Sequence, residues 1–385
     1  MPHVRTGAER LAADAALAGG TRLGLITNPT GVLPDLTPTP DALLAAGLNL
    51  TALFGPEHGM RGTAQAAGSE GDTVDGKTGL PVYDTHKLSG DALDRVVSAS
   101  GVDTLVFDIA DVGARFYTYV WTMYDLMESA ARLGLRFVVL DRPNPLGGTV
   151  TEGPPLDPAF ASFVGRFPLP LRHGRTVGEL ALLFGFDLDL SVVGMEGWRR
   201  DMTYAATGLP WVMPSVNMPT PDTALVYPGT GLFEGTNFSE GRGTTRPFEL
   251  VGAPYADDRF APALAALDLP GVRFRETWFT PTFHKHAGTP VRGVQLHVHD
   301  RETFRPVLTG LSMLHVARTL YPDDLRWWGP DLFLDHLWGS GTLTRCLEAG
   351  EDPRELCPPP GRPEGRLLYG SEDHTDVGHH ARSRR

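Results

Sequence analysis

The chain has no long apolar run and few cysteines, and its cations are outnumbered by acids. Its 385 residues contain no stretch near the ~18 consecutive apolar residues of a membrane-spanning helix. Residues 1–20 place Arg5, Glu9 and Arg10 among alanines, which is typical of an amphipathic helix and not of a signal peptide. We therefore expect a cytoplasmic protein, secreted only if a leader has been removed, without a membrane partner.

The charge balance and the cysteine count argue against nucleic-acid-binding and disulfide-rich proteins. There are 34 Lys and Arg against 46 Asp and Glu, so the net charge of −12 argues against a nucleic-acid partner. The chain has two cysteines, Cys346 and Cys357, which is too few for a disulfide framework. The two could form one disulfide bond, and they are equally compatible with a reducing compartment.

Signatures of cofactors and metals are also missing. The sequence has no GxGxxG, Walker or GxSxG motif, so we expect no nucleotide and no other cofactor. His284, His286, His297 and His299 form two i, i+2 pairs, but no neighbouring acid or cysteine completes a ligand set. We interpret them as surface histidines and predict no metal site.

Apolar strand-like segments alternate with helical ones in the first half of the chain. This pattern predicts an α/β fold with a Rossmann-like, mostly parallel sheet covered by helices on both faces. The predicted strands are 22–27, 48–54, 103–109, 136–140 and 190–195. We predict a catalytic domain over residues 1–210, a smaller α+β auxiliary domain over 211–370 with cleft-lining loops, and a flexible tail over 371–385.

Polar clusters follow four of these strands directly. In an open α/β sheet, ligands bind outside the carboxyl ends of the strands. Polar side chains at the ends of four strands therefore predict an enzyme cleft. The residues at these ends are Asn28, Glu57, His58, Asp108, Asp111, Asp141, Arg142 and Asn144.

Glu57 and His58 form the sharpest motif because glycines flank them. Glycine permits a tight turn that brings side chains close to a ligand, and a carboxylate beside an imidazole suits general acid/base work. The alternative is a structural turn whose glutamate caps the next segment. We favour the catalytic interpretation.

The two aspartates Asp108 and Asp111 are followed by Arg115, Tyr117 and Tyr119. Aromatic faces and charged hydrogen-bonding groups together suit a sugar subsite. An Asp–Arg ion pair that holds the loop, with the aromatics in the core, is equally compatible. Arg142 could likewise bind a substrate carboxylate, but a structural pairing with Asp141 or Asp111 is preferred.

The segment 231–249 is a second dense motif of acids, arginines and glycines. Glycosidic cleavage usually needs a second carboxylate across the bond, for which Glu234 and Glu240 are candidates. Asn237 and Arg242 lie between and beside them. A salt-bridged loop that packs the two halves together is the alternative.

Seven ordered motifs resemble the NamZ-type exo-β-N-acetylmuramidases, and the resemblance extends from about Arg22 to about Tyr369. The motifs are FGPEHGMRG (54–62), VFDIADVGARFYT (106–118), VLDRPNPLGG (139–148), VTEGPP (150–155), PSVNMPT (214–220, with Asn217), YPGT (227–230) and EGTNFSEGRGTTRPFELVGAP (234–254). The resemblance implies a Rossmann-like catalytic domain, an auxiliary domain and an active site between them. It also implies release of N-acetylmuramic acid from the non-reducing end of fragments such as MurNAc-GlcNAc, with Glu57 essential.

The implied carbohydrate substrate carries a D-lactyl carboxylate and a 2-acetamido group. The carboxylate needs a local cation, for which the candidates are Arg61, Arg115, Arg142 and Arg242. The acetamido group permits substrate-assisted catalysis, with Glu57 as general acid/base. We expect burial, or a neighbouring carboxylate such as Asp108 or Glu234, to raise the pKa of Glu57.

Two rival functions remain open at this stage. One is a metal-dependent hydrolase with Glu57, His58, Asp108 and Asp111 as ligands. The other is a non-catalytic muropeptide-binding protein. Our predicted catalytic residues are Glu57, His58, Asp108 and Glu234. The predicted substrate-binding residues are Asn28, Arg61, Asp111, Arg115, Tyr117, Tyr119, Asp141, Arg142, Asn144, Asn217, Asn237, Glu240 and Arg242.

Overall fold

The computed structural model describes residues 3–65, 67–329 and 331–370, together with the backbone of residues 380–382. Most of the tail that we predict to be flexible therefore lies outside the described residues. The exception is the segment His380–Arg382, which forms a short strand.

Two sheets account for the described strands. The larger has the order β11-β7-β6-β5-β1-β2-β4-β3, and the smaller has the order β8-β10-β9. The strands are β1 Leu23–Thr27, β2 Leu50–Gly55, β3 Thr73–Val74, β4 Pro81–Asp84, β5 Thr104–Asp108, β6 Arg136–Leu140, β7 Asp189–Val193, β8 Leu250–Ala253, β9 Val272–Phe279, β10 Val291–Val298 and β11 His380–Arg382.

The larger sheet is parallel from β7 to β4, and only its edge strands β11 and β3 run antiparallel. Strand order reverses between β1 and β5, which pair with each other although β2 follows β1 in the chain. Such a reversal opens a crevice at the carboxyl ends of the two strands.

The described residues form ten α-helices, of which the first five cover the two faces of the larger sheet. They are α1 Gly7–Ala13, α2 Thr39–Ala45, α3 Gly90–Ser100, α4 Tyr119–Leu133, α5 Val177–Phe184, α6 Pro221–Thr230, α7 Phe260–Ala265, α8 Pro306–Leu320, α9 Phe333–Trp338 and α10 Thr342–Ala349.

Alternate strand residues divide the apolar core in two. Leu25, Leu53 and Val106 pack with Leu11 of α1 and Leu43 of α2. On the opposite face, strand residues pack with α3, α4 and α5, and this core continues into the C-terminal part of the chain. The predicted α/β fold, with helices on both faces and a smaller unit beside the sheet, is confirmed.

Helix α6 lies inside the stretch 211–246, which shows little periodicity in the sequence. Thr220 caps its first turn by accepting the N–H of Thr223, and Pro221 occupies the first helical position. Gly229 of α6 packs so closely against Gly310 of α8 that a Cβ on either residue would meet the backbone of the other helix. This contact fixes the segment that follows α6 against the rest of the protein.

No helix in the described part of the chain is long and apolar enough to cross a membrane.

Candidate active site

A cavity of about 1350 Å³, measured with its open mouth, lies between the carboxyl ends of the parallel strands and the C-terminal part. Predicted site residues from both halves of the chain line it. They are Glu57, His58, Tyr117, Tyr119, Asn217, Glu234 and Arg242.

Glu57 follows β2 and is almost fully buried, with 9% of its surface exposed. Its Oε1 accepts the N–H of Ala67 at 2.7 Å, and its Oε2 accepts the hydroxyl of Thr118 at 2.6 Å. Thr118 precedes the first residue of α4, so the carboxylate also lies at the positive end of that helix. The fold thus holds one acid in a fixed orientation beside open space.

The pKa of Glu57 differs from our expectation. Burial alone would raise it, but the hydrogen bonds from Thr118 and Ala67 and the charges of His58 and His86 outweigh burial. The pKa therefore lies below its ordinary value, and the expectation of a raised pKa is wrong. Asp108, which we proposed as a neighbouring carboxylate, forms an ion pair elsewhere.

The loop after Glu57 closes over the carboxylate in a strained conformation. His58 and Ala67 of this loop have a positive φ, and so do Lys87 and His284 elsewhere in the lining, with all four values between 59° and 70°. Residues other than glycine rarely adopt this conformation, and it concentrates where function constrains the backbone. His58 Nδ1 lies 2.8 Å from the carbonyl of Ala64, which orients its ring.

Glu234 belongs to a buried cluster of charges on the opposite half of the chain. Arg242 pairs with Glu234 and with Glu240, at 3.2 Å in both cases, and Lys285 pairs with Glu240 at 2.9 Å. Burial raises the pKa of Glu234 more than Arg242 lowers it, whereas the surrounding cations depress the pKa of Glu240 despite its burial. Glu240 therefore serves as the anchor of Arg242, and Glu234 is the acid of the pair that lines the cavity.

Two residues that line the cavity each carry a buried polar group without a hydrogen bond of good geometry in the described part of the chain. The Nδ2 of Asn217 is buried and makes no hydrogen bond within the described residues. The Tyr117 hydroxyl likewise makes none of good geometry, although the side chain of Ser215 lies near it. Buried polar groups are nearly always hydrogen-bonded, so these two are suited to bind a polar ligand.

Aromatic side chains form the rim of the cavity, and no sequence motif marks them. Phe163 and Trp328 are 41% and 48% exposed. The Phe163 ring stacks on that of Phe333, with their centroids 6.1 Å apart. Lys87 and Thr118 are two more lining residues that we did not predict. Large exposed aromatics grouped at a cavity mouth typically mark a binding surface.

Arg115 does not reach the cavity. Its guanidinium is buried and donates to the carbonyls of Pro154, Leu169, Leu337 and Trp338. Burial without a carboxylate partner lowers its pKa to about 9. The structure thus places this predicted substrate ligand inside the protein, where it ties together distant segments of the chain.

The aspartates after β5 are also paired with other protein groups. Asp108 accepts two hydrogen bonds from Arg142, at 2.6 and 2.9 Å. Asp111 lies 3.0 Å from His173 Nε2. Within the residues that the structure describes, no group of three or more His, Cys, Asp or Glu side chains could hold a metal ion. Glu57, His58, Asp108 and Asp111 therefore do not converge as the metal-dependent rival requires.

The remaining predicted residues lie outside the cavity and bond to protein groups. Asn28 stabilises the turn to Thr30, Arg61 pairs with Asp75, and Asn237 bonds to Tyr255. Asp141 accepts the N–H of Gly178 and the hydroxyl of Thr176 at the start of α5, and Asn144 donates to the carbonyl of Arg175.

Comparisons with known proteins agree with this geometry. The profile "Exo-beta-N-acetylmuramidase NamZ, N-terminal" matches residues 23–222, and its C-terminal counterpart matches residues 225–358. The peptidoglycan beta-N-acetylmuramidase NamZ of Bacillus subtilis (strain 168) is 50% identical over 356 residues, 91% of this chain and 85% of that protein.

Solved structures show the same architecture. A DUF1343 family protein from Bacteroides fragilis NCTC 9343 has a TM-score of 0.83 at 35% identity, covering 92% of this chain and 94% of its own. A second DUF1343 family protein from that organism has a TM-score of 0.73 at 30% identity, covering 92% and 93%. The chain therefore belongs to the family of NamZ exo-β-N-acetylmuramidases.

Proposed function

We propose that this protein is an exo-β-N-acetylmuramidase that hydrolyses the β-glycosidic bond of a non-reducing terminal N-acetylmuramic acid in peptidoglycan fragments such as MurNAc-GlcNAc. The observation that carries the proposal is the carboxylate of Glu57, fixed by Thr118 and Ala67 at the wall of a cavity large enough for sugars. The B. subtilis relative is named for the same class of reaction.

The walls of the cavity match the parts of an amino sugar. The exposed rings of Phe163 and Trp328 offer apolar faces to the C–H surface of a pyranose. The unpartnered Nδ2 of Asn217 and the hydroxyl of Tyr117 are available to the sugar's acetamido and hydroxyl oxygens. Substrate oxygens would thus offer these groups hydrogen bonds of better geometry than the described residues supply.

The two carboxylates that line the cavity differ in the direction of their pKa shifts, and this difference assigns their roles. The lowered pKa of Glu57 keeps it ionised, and the raised pKa of Glu234 favours its protonated form. Environments that push two such pKa values apart separate a base from an acid. Glu234 donates a proton to the departing glycosidic oxygen. Glu57 stabilises the positive charge at the anomeric centre and accepts the proton that the nucleophile releases.

The two parts of the chain divide this work in our proposal. Residues 1–210, the proposed catalytic domain, supply Glu57 and the loop that holds it. Residues 211–370 supply Asn217, Glu234 and the rim residue Trp328. His58 supports Glu57 through its charge, and Arg242 holds Glu234 in place.

Incubation with MurNAc-GlcNAc and chromatography of the products tests the proposal. We expect stoichiometric release of MurNAc and GlcNAc that persists after exhaustive chelation. Activity lost on chelation and restored by a metal would favour the metal-dependent hydrolase. Binding of the disaccharide without any release would favour the muropeptide-binding protein.

The cytoplasmic location is also a proposal. Its support is that Cys346 and Cys357 are both free thiols in the structure, as a reducing compartment would keep them. Fractionation of cells that carry a tagged copy of the natural gene would test it.

A further inference from the structure

A second, smaller groove adjoins the active-site cavity, and we call it the side groove. It shares Glu57, Lys87, Thr118 and Phe163 with the cavity. It then continues past His86 towards Asp125 and Arg166 and has a volume of about 420 Å³. A group attached to a sugar in the cavity could therefore extend into the side groove beside Glu57.

Lys87 is the cation at the junction of the two spaces. Its side chain is exposed, and its Nζ donates to the carbonyl of Ala67 at 3.2 Å. The N–H of the same Ala67 donates to Glu57, so one residue links the ammonium group to the catalytic carboxylate. The backbone of Lys87 is held at a φ of 59°, which a lysine rarely adopts.

Lys87 also differs from the other lysines of the chain in its charge environment. The chain has three lysines, and Lys77 and Lys285 each pair with a carboxylate, Asp41 and Glu240 respectively. Among the described residues, Lys87 forms no ion pair, so its charge is available to a ligand. Holding an unpaired cation beside a cavity in a protein of net charge −12 favours an anionic ligand group.

The arginines that line the two spaces are already neutralised. Arg242 pairs with two glutamates, and Arg166 pairs with Asp125 at 2.9 Å. Arg61, Arg115 and Arg142, the remaining sequence candidates, lie outside the cavity and bond to other protein groups. Among the described lysines and arginines that line either space, Lys87 is thus the one without a carboxylate partner.

Given the proposed function, on which this inference rests, we infer that Lys87 binds the carboxylate of the sugar's D-lactyl substituent at the mouth of the side groove. The lactyl ether is attached to C3 of the sugar. Only C2 separates C3 from the anomeric carbon C1, at which Glu57 acts. The two groups are thus near each other on the sugar, as Lys87 and Glu57 are near each other in the protein, where both bond to Ala67. Lys87 is a specificity-determining residue that selects muramyl over glucosaminyl substrates.

The test compares two chromogenic glycosides, 4-nitrophenyl β-MurNAc and the same compound with its lactyl carboxyl converted to a neutral methyl amide. For the unaltered enzyme, we expect the amide to lower kcat/KM about 10- to 100-fold, because a hydrogen-bonded charge pair is lost. Lys87→Met should lower kcat/KM on the carboxylate substrate by a similar factor. The variant should then hydrolyse the carboxylate and the amide with similar kcat/KM. Lys87→Arg should restore much of the preference for the carboxylate.

Lys77→Met is the matched control because Lys77 is exposed and lies outside both spaces. It should keep the preference of the unaltered enzyme. If Lys87→Met also keeps that preference while the enzyme hydrolyses the MurNAc glycoside, the inference is wrong and the proposed function stands. If the unaltered enzyme hydrolyses neither glycoside nor MurNAc-GlcNAc, the proposed function fails and the inference fails with it.

Discussion

The hydroxyl of Thr118 donates a 2.6 Å hydrogen bond to the carboxylate of Glu57. Thr118 occupies the N-cap position of α4, where a threonine side chain commonly accepts a backbone N–H of the first turn, yet it makes no such bond. Instead, the helix start and its cap residue both stabilise negative charge on Glu57.

Replacing Thr118 with valine should therefore raise the pKa of Glu57. A hydrogen bond to a charged group is worth roughly 1.5–3 kcal/mol, which corresponds to about one to two pH units. The acidic limb of the kcat/KM profile should move to higher pH by that amount. Thr122→Val, one turn further along α4, should leave the limb in place. An unmoved limb in Thr118→Val would contradict the role of this hydrogen bond.

The pH dependence of kcat/KM for the unaltered enzyme should be bell-shaped. Glu57 must be ionised, so activity rises as pH increases through its pKa, which lies below the ordinary 4.5. Glu234 must be protonated, so activity falls as pH increases through its pKa, which lies above 4.5. Initial rates at low substrate concentration across the pH range measure both limbs. A profile without a descending alkaline limb would exclude Glu234 as the proton donor.

Glu234→Gln should show whether Glu234 is the general acid, because its effect should depend on the leaving group. A sugar alcohol leaves poorly without a proton, whereas an acidic nitrophenol leaves readily. We expect kcat on MurNAc-GlcNAc to fall roughly 10²–10⁴-fold and kcat on the nitrophenyl glycoside to fall far less. Glu276→Gln on the exposed edge strand β9 is the control and should behave as the unaltered enzyme. Equal losses on the two substrates would show that Glu234 does not protonate the leaving group.

Arg115→Met should destabilise the protein without changing its chemistry. Three buried carbonyls and one partly buried carbonyl would lose their donor, which should lower the free energy of unfolding by about 3 kcal/mol or more. Denaturant titration measures this loss, and kcat/KM of the folded variant should stay within a few fold. Arg199→Met removes an exposed ion pair with Asp201 and should cost under about 1 kcal/mol. Normal stability with a strongly raised KM would return Arg115 to the substrate-binding residues.

The sequence predicted those features that depend on local pattern. Buried parallel strands are continuous apolar runs, and the glycines around Glu57 and His58 mark a turn at a strand end. Both signals lie within a few neighbouring residues. The parallel sheet and the position of Glu57 beside the cavity could therefore be inferred without coordinates.

Features that depend on contacts between distant segments could not be predicted. Nothing near Arg115 in the sequence shows that its guanidinium meets carbonyls of Leu337 and Trp338. The rim residues Phe163 and Trp328 come from loops far apart in the chain, and neither loop carries a motif. The low pKa of Glu57 has the same origin, because Ala67 and Thr118 reach it only through the fold.

The most direct test of the central claim is the kcat of Glu57→Gln on 4-nitrophenyl β-MurNAc. Glutamine keeps the size of the side chain and can still accept the Thr118 hydrogen bond, but it can neither carry the negative charge nor take up a proton. We predict a kcat lowered by several orders of magnitude, roughly 10³-fold or more, in a variant that circular dichroism shows to be folded. A well-folded Glu57→Gln variant with near-normal kcat would contradict the account.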